Sequence, residues 1–143
     1  MKAPMIRLAL LFALVLLMCA SMQAQLPIKT SLSQVDIPFA FMAGGVHLPA
    51  GHYHVYHPGD PYLLVIEKDD GRARAVVYVH PSDVSSDEAD ARLVFNRYED
   101  QYFLAQIWHE SDREVHDCFK CEREKALVAQ GGQPQTAVVT AKR

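Results

Sequence analysis

Four side chains able to ligate a metal or exchange electrons fall within 13 residues: His109, His116, Cys118 and Cys121. Two thiolates and two imidazoles suit a tetrahedral Zn²⁺ or a copper ion. His116-x-Cys118-x-x-Cys121 is short enough to converge at the start of a helix, whereas His109 joins only if the chain between it and His116 folds back. The Cys118-Phe119-Lys120-Cys121 spacing has two further readings. Outside the cytoplasm two near cysteines tend to oxidise to a local disulfide, which here closes a very small loop and stabilises little. Beside a helix N-terminus a thiolate is favoured and becomes a redox nucleophile, although the β-α-β surroundings of a thioredoxin-like site are absent. Glu122 stands where C-x-x-C-H requires His, which excludes covalent haem attachment. A second metal candidate is the i, i+2 pair His52 and His54, on one face of an extended segment with His47 and His57 close by.

Other chemistry is thinly represented. G-x-S-x-G, H-E-x-x-H, a phosphate-cradling glycine loop and a dinucleotide fingerprint are all missing. Arg72, Arg74, Arg92 and Arg97 are candidates for a basic stripe that grips an anion, weighed against a solvated face paired with acids. Tyr98, Tyr102, Phe103 and Trp108 suit either a sugar-binding platform or a core. The 143 residues carry 14 basic and 17 acidic side chains, a net charge of −3, so nothing marks a nucleic-acid or anionic-lipid partner.

The elements that must position these residues begin after an export signal. Lys2 and Arg7 precede an apolar stretch from Leu8 to Met18, with small residues at Ala20, Ser21 and Ala24. That stretch is shorter than the roughly 20 apolar residues a membrane span needs, so a removable signal over residues 1–24 is expected rather than an anchor. Met18, bulky where a lipidation signal wants a small residue, argues against Cys19 as a lipid attachment point. Cleavage after Ala24 leaves 119 residues and a net charge of −5, enough for one domain.

Period-two apolar spacing dominates that remainder. Val35, Ile37, Phe39 and Phe41 fall on one face of a strand, with Pro38 marking a sheet edge or entry. Gly44-Gly45 and Leu48-Pro49-Ala50-Gly51 allow turns around a short strand. Residues 52–57 alternate with Tyr53 and Val55 on one face and His52, His54 and Tyr56 on the other. Residues 62–67 and 72–80 form a hairpin around Asp70-Gly71, and residues 92–98 and 101–109 form another around Glu99-Asp100. The acidic, serine-rich segment 81–91 reads as an exposed loop. Helix formers between Asp117 and Gln130, stopped by Gly131-Gly132, predict one helix, and 131–143 reads as a disordered tail.

Several segments together resemble a family of short secreted bacterial β-proteins of unknown function: VDIPFAF at 35–41, LPAGHYHV at 48–55, LVFNRYEDQYFLAQIW at 93–108 and EREKAL at 122–127. The resemblance implies no activity. Glu99 departs from it, standing where members carry Gly, and the Cys118/Cys121 pair lies outside the shared pattern.

These readings combine into an all-β fold, a small antiparallel β-sandwich or open barrel of about seven strands with one C-terminal helix, in a single domain over 25–130. The expected function is that of an exported, non-catalytic β module, periplasmic or extracellular, that binds an envelope or extracellular component without a cofactor. The alternative is a metal-binding or thiol-redox protein that uses Zn or Cu with the C-x-x-C and nearby histidines. No membrane span is expected after processing, and the strands are too short for a transmembrane barrel.

Overall fold

The computed structural model describes residues 30–83, 90–109 and 114–141. The expected export signal lies outside these residues, as does most of the acidic loop. Among the described residues ten strands and one helix follow in chain order. They are β1 (Thr30–Ile37), β2 (Phe41–Ala43), β3 (Val46–Leu48), β4 (Gly51–His57), β5 (Leu63–Lys68), β6 (Arg74–Asp83), β7 (Arg92–Tyr98), β8 (Gln101–Trp108), β9 (Glu114–Cys118), α1 (Glu122–Ala129) and β10 (Gln135–Thr140). The all-β class with a C-terminal helix therefore holds, with three more strands than expected.

The strands run β1-β4-β5-β6-β9-β8, with β7 and then β10 on one side of β8 and the β2–β3 hairpin on its other. β6 joins two half-sheets. Its first five residues, Arg74–Tyr78, pair with β5, and its last five, Val79–Asp83, pair with β9. β1 and β10 form no ladder with each other, so the sheet stays open. Pro38 ends β1, as its missing N–H predicts, and β1 lies at an edge. The inward residues of both halves make one core that includes Val35, Ile37, Phe41, Tyr53, Val55, Ile66, Val77, Leu93, Phe95 and Ile107, none more than 3% exposed. Burying each such side chain is worth about 1.5–3 kcal/mol.

Both predicted hairpins form. Gly71 takes φ +68° after Asp70, whose carboxylate accepts the Arg72 N–H at 3.0 Å. That bond, foremost, holds the Asp70 pKa below the ordinary carboxylate value, with Lys68 adding to the effect. In the second hairpin Tyr98 pairs with Gln101 across two loop residues, and Glu99 sits at φ +53°. Only glycine adopts that region freely. Glu99→Gly should therefore stabilise the protein by about 0.5–1 kcal/mol, read as a higher urea midpoint at unchanged slope. At Gly44, φ +55°, a Cβ would lie 2.3 Å from the Val76 carbonyl oxygen, so the turn between β2 and β3 packs onto β6 only without a side chain.

Three expectations are corrected. The segment read as a disordered tail contains β10, which pairs with β7 from Gln135↔Arg97 to Thr140↔Arg92. Residues 117–121, read as the start of the helix, instead end β9 and lead to a shorter helix beginning at Glu122. The loop expected from Pro81 begins later, because β6 continues to Asp83 with Pro81 opposite His116.

Candidate metal centre

Three strand ends converge at one end of the interior. β4 turns Tyr53, Val55 and His57 inward at every second residue, and His57 is its last residue before the Pro58-Gly59-Asp60-Pro61 turn. β9 places His116 inward through its pairing with Ile107, a fully buried core residue. His109 follows directly after β8, two residues beyond Ile107, so strand alternation turns it inward as well.

The inward aim of Ile107 and His109 depends on a bulge. Phe95 pairs with Leu104 while Val94 pairs with Gln106, so Ala105 is an extra residue in β8. Without it Ile107 and His109 would face outward, because a shift of one residue exchanges the faces of a strand.

The result is a group in which one ligand atom from each of His57, His109 and His116 lies within 4.8 Å of the other two. His109 and His116 are buried, 6% and 4% exposed, and His57 is half-buried. The Nε2 atom of His109 lies 2.9 Å from Nδ1 of His116 in a hydrogen bond, so one nitrogen donates and the other offers a lone pair. Nδ1 of His57 lies 2.9 Å from the Leu63 carbonyl oxygen. A carbonyl only accepts, so this Nδ1 carries the proton and the lone pair of the neutral ring is on Nε2. Metal-binding histidines are commonly fixed in this way, one ring nitrogen donating to a backbone carbonyl while the other binds the ion. Nitrogens around a tetrahedral Zn²⁺ at about 2.0–2.1 Å are themselves about 3.3 Å apart. The His109–His116 contact is already close to that spacing, and the third ring needs a shift of only an ångström or so.

The residues singled out in the sequence divide. His109 and His116 meet as the spacing suggested. Cys118 and Cys121 do not join them, and both are free thiols, with no disulfide between them. Cys118 ends β9 on the inner side, where burial first, and the Asp117 and Glu124 carboxylates after it, push its thiol well above the ordinary range. A thiol held neutral is a poor nucleophile. Cys121, not Cys118, occupies the N-cap of α1, and it makes no side-chain cap hydrogen bond. His52 and His54 face outward and meet carboxylates, Asp36 at 3.4 Å and Asp69 at 2.9 Å.

His57 lies close in sequence to His52 and His54 but on the opposite face of β4. Strand parity distinguishes it, since it belongs with Tyr53 and Val55 on the apolar side.

The basic stripe splits as well. Arg72 and Arg74 line a cleft with His47 and Lys68, whereas Arg92 lies 4.0 Å over the Trp108 ring and Arg97 bonds the Glu99 carbonyl. Of the four aromatic residues, Tyr98 and Phe103 are buried, Tyr102 stacks on Phe39, and Trp108 is covered in part by Arg92, so they form no common platform.

A second polar cluster lies on the outer face beneath α1. Glu124, 2% exposed, accepts from Asn96 at 2.8 Å and from Tyr98 at 3.3 Å, and Lys120 lies 3.4 Å away. Asp117 accepts from Gln106 and Ser82 at 2.8 and 2.9 Å. Of these groups Asn96, Gln106, Asp117, Lys120 and Glu124 border a cleft of about 470 Å³.

Burial foremost, and then the Glu124 carboxylate, raises the Tyr98 pKa above 10.0; burial and Asp70 raise that of Tyr53. A raised folded-state pKa means that the unfolded chain loses its phenolic protons first. The stabilisation is therefore complete below pH 10 and declines as pH rises through the folded values. Urea midpoints should fall between pH 9 and pH 11, and less steeply in Tyr98→Phe.

Comparison with family models, curated proteins and solved structures found no match to this chain.

Proposed function

We propose that this chain is an exported β module whose function is to hold a transition-metal ion, Zn²⁺ or copper, through His57, His109 and His116. The observation that carries the reading is the convergence of three imidazole nitrogens within 4.8 Å, two of them on buried rings. Imidazole suits both metals. Among the described residues it is the one group of three or more ligating side chains so close together.

The metal reading takes precedence over that of a partner-binding module without a cofactor because three imidazoles converging within 4.8 Å form a donor set that suits these ions. Thiol chemistry recedes, since desolvation pushes the Cys118 thiol pKa up and neither cysteine joins the histidine group. Export is supported by the positively charged start, the apolar stretch Leu8–Met18 and the small residues after it. It places the module in the periplasm or outside the cell, beside an envelope or extracellular component. The resemblance to short secreted bacterial β-proteins points the same way. No described helix is long and apolar enough to cross a membrane.

The test is metal uptake by untagged protein stripped with a chelator. Equilibrium dialysis should show one Zn²⁺ or one copper ion bound per chain; no uptake of either overturns the reading.

A further inference from the structure

A cleft of about 500 Å³ lies between residues 46–49, which form β3 and the turn after it, and the tip of the β5–β6 hairpin, which brings Lys68, Asp70, Arg72 and Arg74 to its wall. We propose that this cleft binds a phosphate monoester, with Lys68, Arg72 and Arg74 on the phosphate and Val46, Pro49 and Ala73 against the organic group. The site shares no residue with the histidine centre and stands whether or not that centre holds a metal.

Charge identifies the ligand class. Among the described residues that line the cleft, three permanent cations meet one carboxylate, in a chain whose net charge is −3. This local reversal of sign suits a phosphate monoester, which carries about −1.5 to −2 at neutral pH. Glu67, across the ladder from Arg74, is turned toward β4 by the Tyr56 hydroxyl, which donates to it at 2.7 Å. A guanidinium presents a planar fork that fits phosphate oxygens two at a time, and a cleft between low-dielectric walls focuses the field on an entering anion. His47, on the opposite wall, adds an imidazole able to donate to an oxyanion.

The tip that carries the cations is fixed before any ligand arrives. The Lys68 N–H donates to the Ala73 carbonyl at 2.8 Å and the Gly71 N–H to the Lys68 carbonyl at 2.7 Å. One oxygen of Asp70 accepts from the Lys68 ammonium at 3.2 Å, and the other from the Arg72 N–H at 3.0 Å. The Lys68 stem lies over Gly51, where a Cβ would come within 2.6 Å of Cε, so the ammonium reaches the cleft across a residue without a side chain. Little freedom of the hairpin tip is then left to lose on binding.

Size and lining favour an ester over the bare ion. Sites of about 300–1,000 Å³ that combine apolar walls with a few polar groups fit small organic molecules. Val46, 42% exposed, and Pro49 supply such a wall beside the cations, above the buried Leu48.

Phenyl phosphate and inorganic phosphate, titrated separately into the whole untagged protein at low salt while amide ¹H–¹⁵N spectra are recorded, test the site. Phenyl phosphate should saturate at one per chain, move the amides of residues 46–48 and 68–74, bind more tightly than inorganic phosphate, and weaken as salt is added. Arg72→Gln and Arg74→Gln, both at exposed positions, should each weaken it about tenfold or more, with the remaining amide signals unmoved as the check on folding. Arg97→Gln removes a cation that bonds the Glu99 carbonyl outside the cleft and should leave binding unchanged. Equal affinity for inorganic phosphate would overturn the assignment of an organic ester. No binding, shifts confined to other residues, or an equal loss in all three variants would overturn the site itself.

Discussion

His116→Gln should abolish metal-dependent stabilisation while leaving the metal-free fold nearly intact. An ion that binds only the folded state stabilises it by about 2.7 kcal/mol at a hundredfold excess over its dissociation constant. For a domain of this size that corresponds to a rise in Tm of about 10 °C or more. Removing one of three ligands should lower affinity by more than about 100-fold, because changes to groups behind the ligands alone cost about 10–100-fold. Gln keeps a donor and an acceptor for Nε2 of His109, which lies 2.9 Å from the present ring, so that hydrogen bond can be replaced. Differential scanning fluorimetry with and without Zn²⁺ separates the two effects. His52→Gln is the control. Its partner is an exposed Asp36 carboxylate at 3.4 Å, worth at most about 1 kcal/mol, and the Zn²⁺-dependent shift should persist in full. A shift retained in His116→Gln and lost in His52→Gln would transfer the site to the outer face of β4.

Phe95→Ala should cost about 3–5 kcal/mol, the range for emptying a buried aromatic position. The ring is fully buried at the centre of the core, edge-on to Phe39 at 5.2 Å and to Phe41 at 5.4 Å. Both neighbours come from the β1–β2 segment, so the loss unties that segment from the β7–β8 hairpin. Domain stabilities are about 5–15 kcal/mol in total, and a variant this costly has little margin left. Val94, next along β7, borders the outer cleft and is half-buried. Val94→Ala should cost below about 1.5 kcal/mol. The contrast between adjacent positions, measured by urea denaturation, tests the alternation directly. Equal costs at both would mean that β7 does not present one face to the core.

The hairpins were readable because their information is local. Asp70-Gly71 and the two-residue loop at Glu99-Asp100 join strands whose alternation is visible in each strand alone. β9 and β10 were not. Glu114-Val-His-Asp-Cys looks too polar for an inner strand, but its polar groups are satisfied by distant partners: Asp117 by Gln106 and Ser82, His116 by His109. β10 borrows its ladder from β7, some 40 residues earlier, and buries little of its own.

The candidate centre divides along the same line. Residue types and short spacings were sufficient to establish a β-rich chain and to join His109 with His116. They also tied both histidines to the cysteines, a link the folded chain breaks. Two facts needed the fold. One is the extra residue at Ala105, which re-phases β8 so that His109 points inward. The other is the approach of the end of β4 to His109 and His116, which brings in His57 from 52 positions upstream of His109. Alternation within a strand is a local steric property, whereas bulges and strand order are settled by which pairings bury the whole apolar surface together.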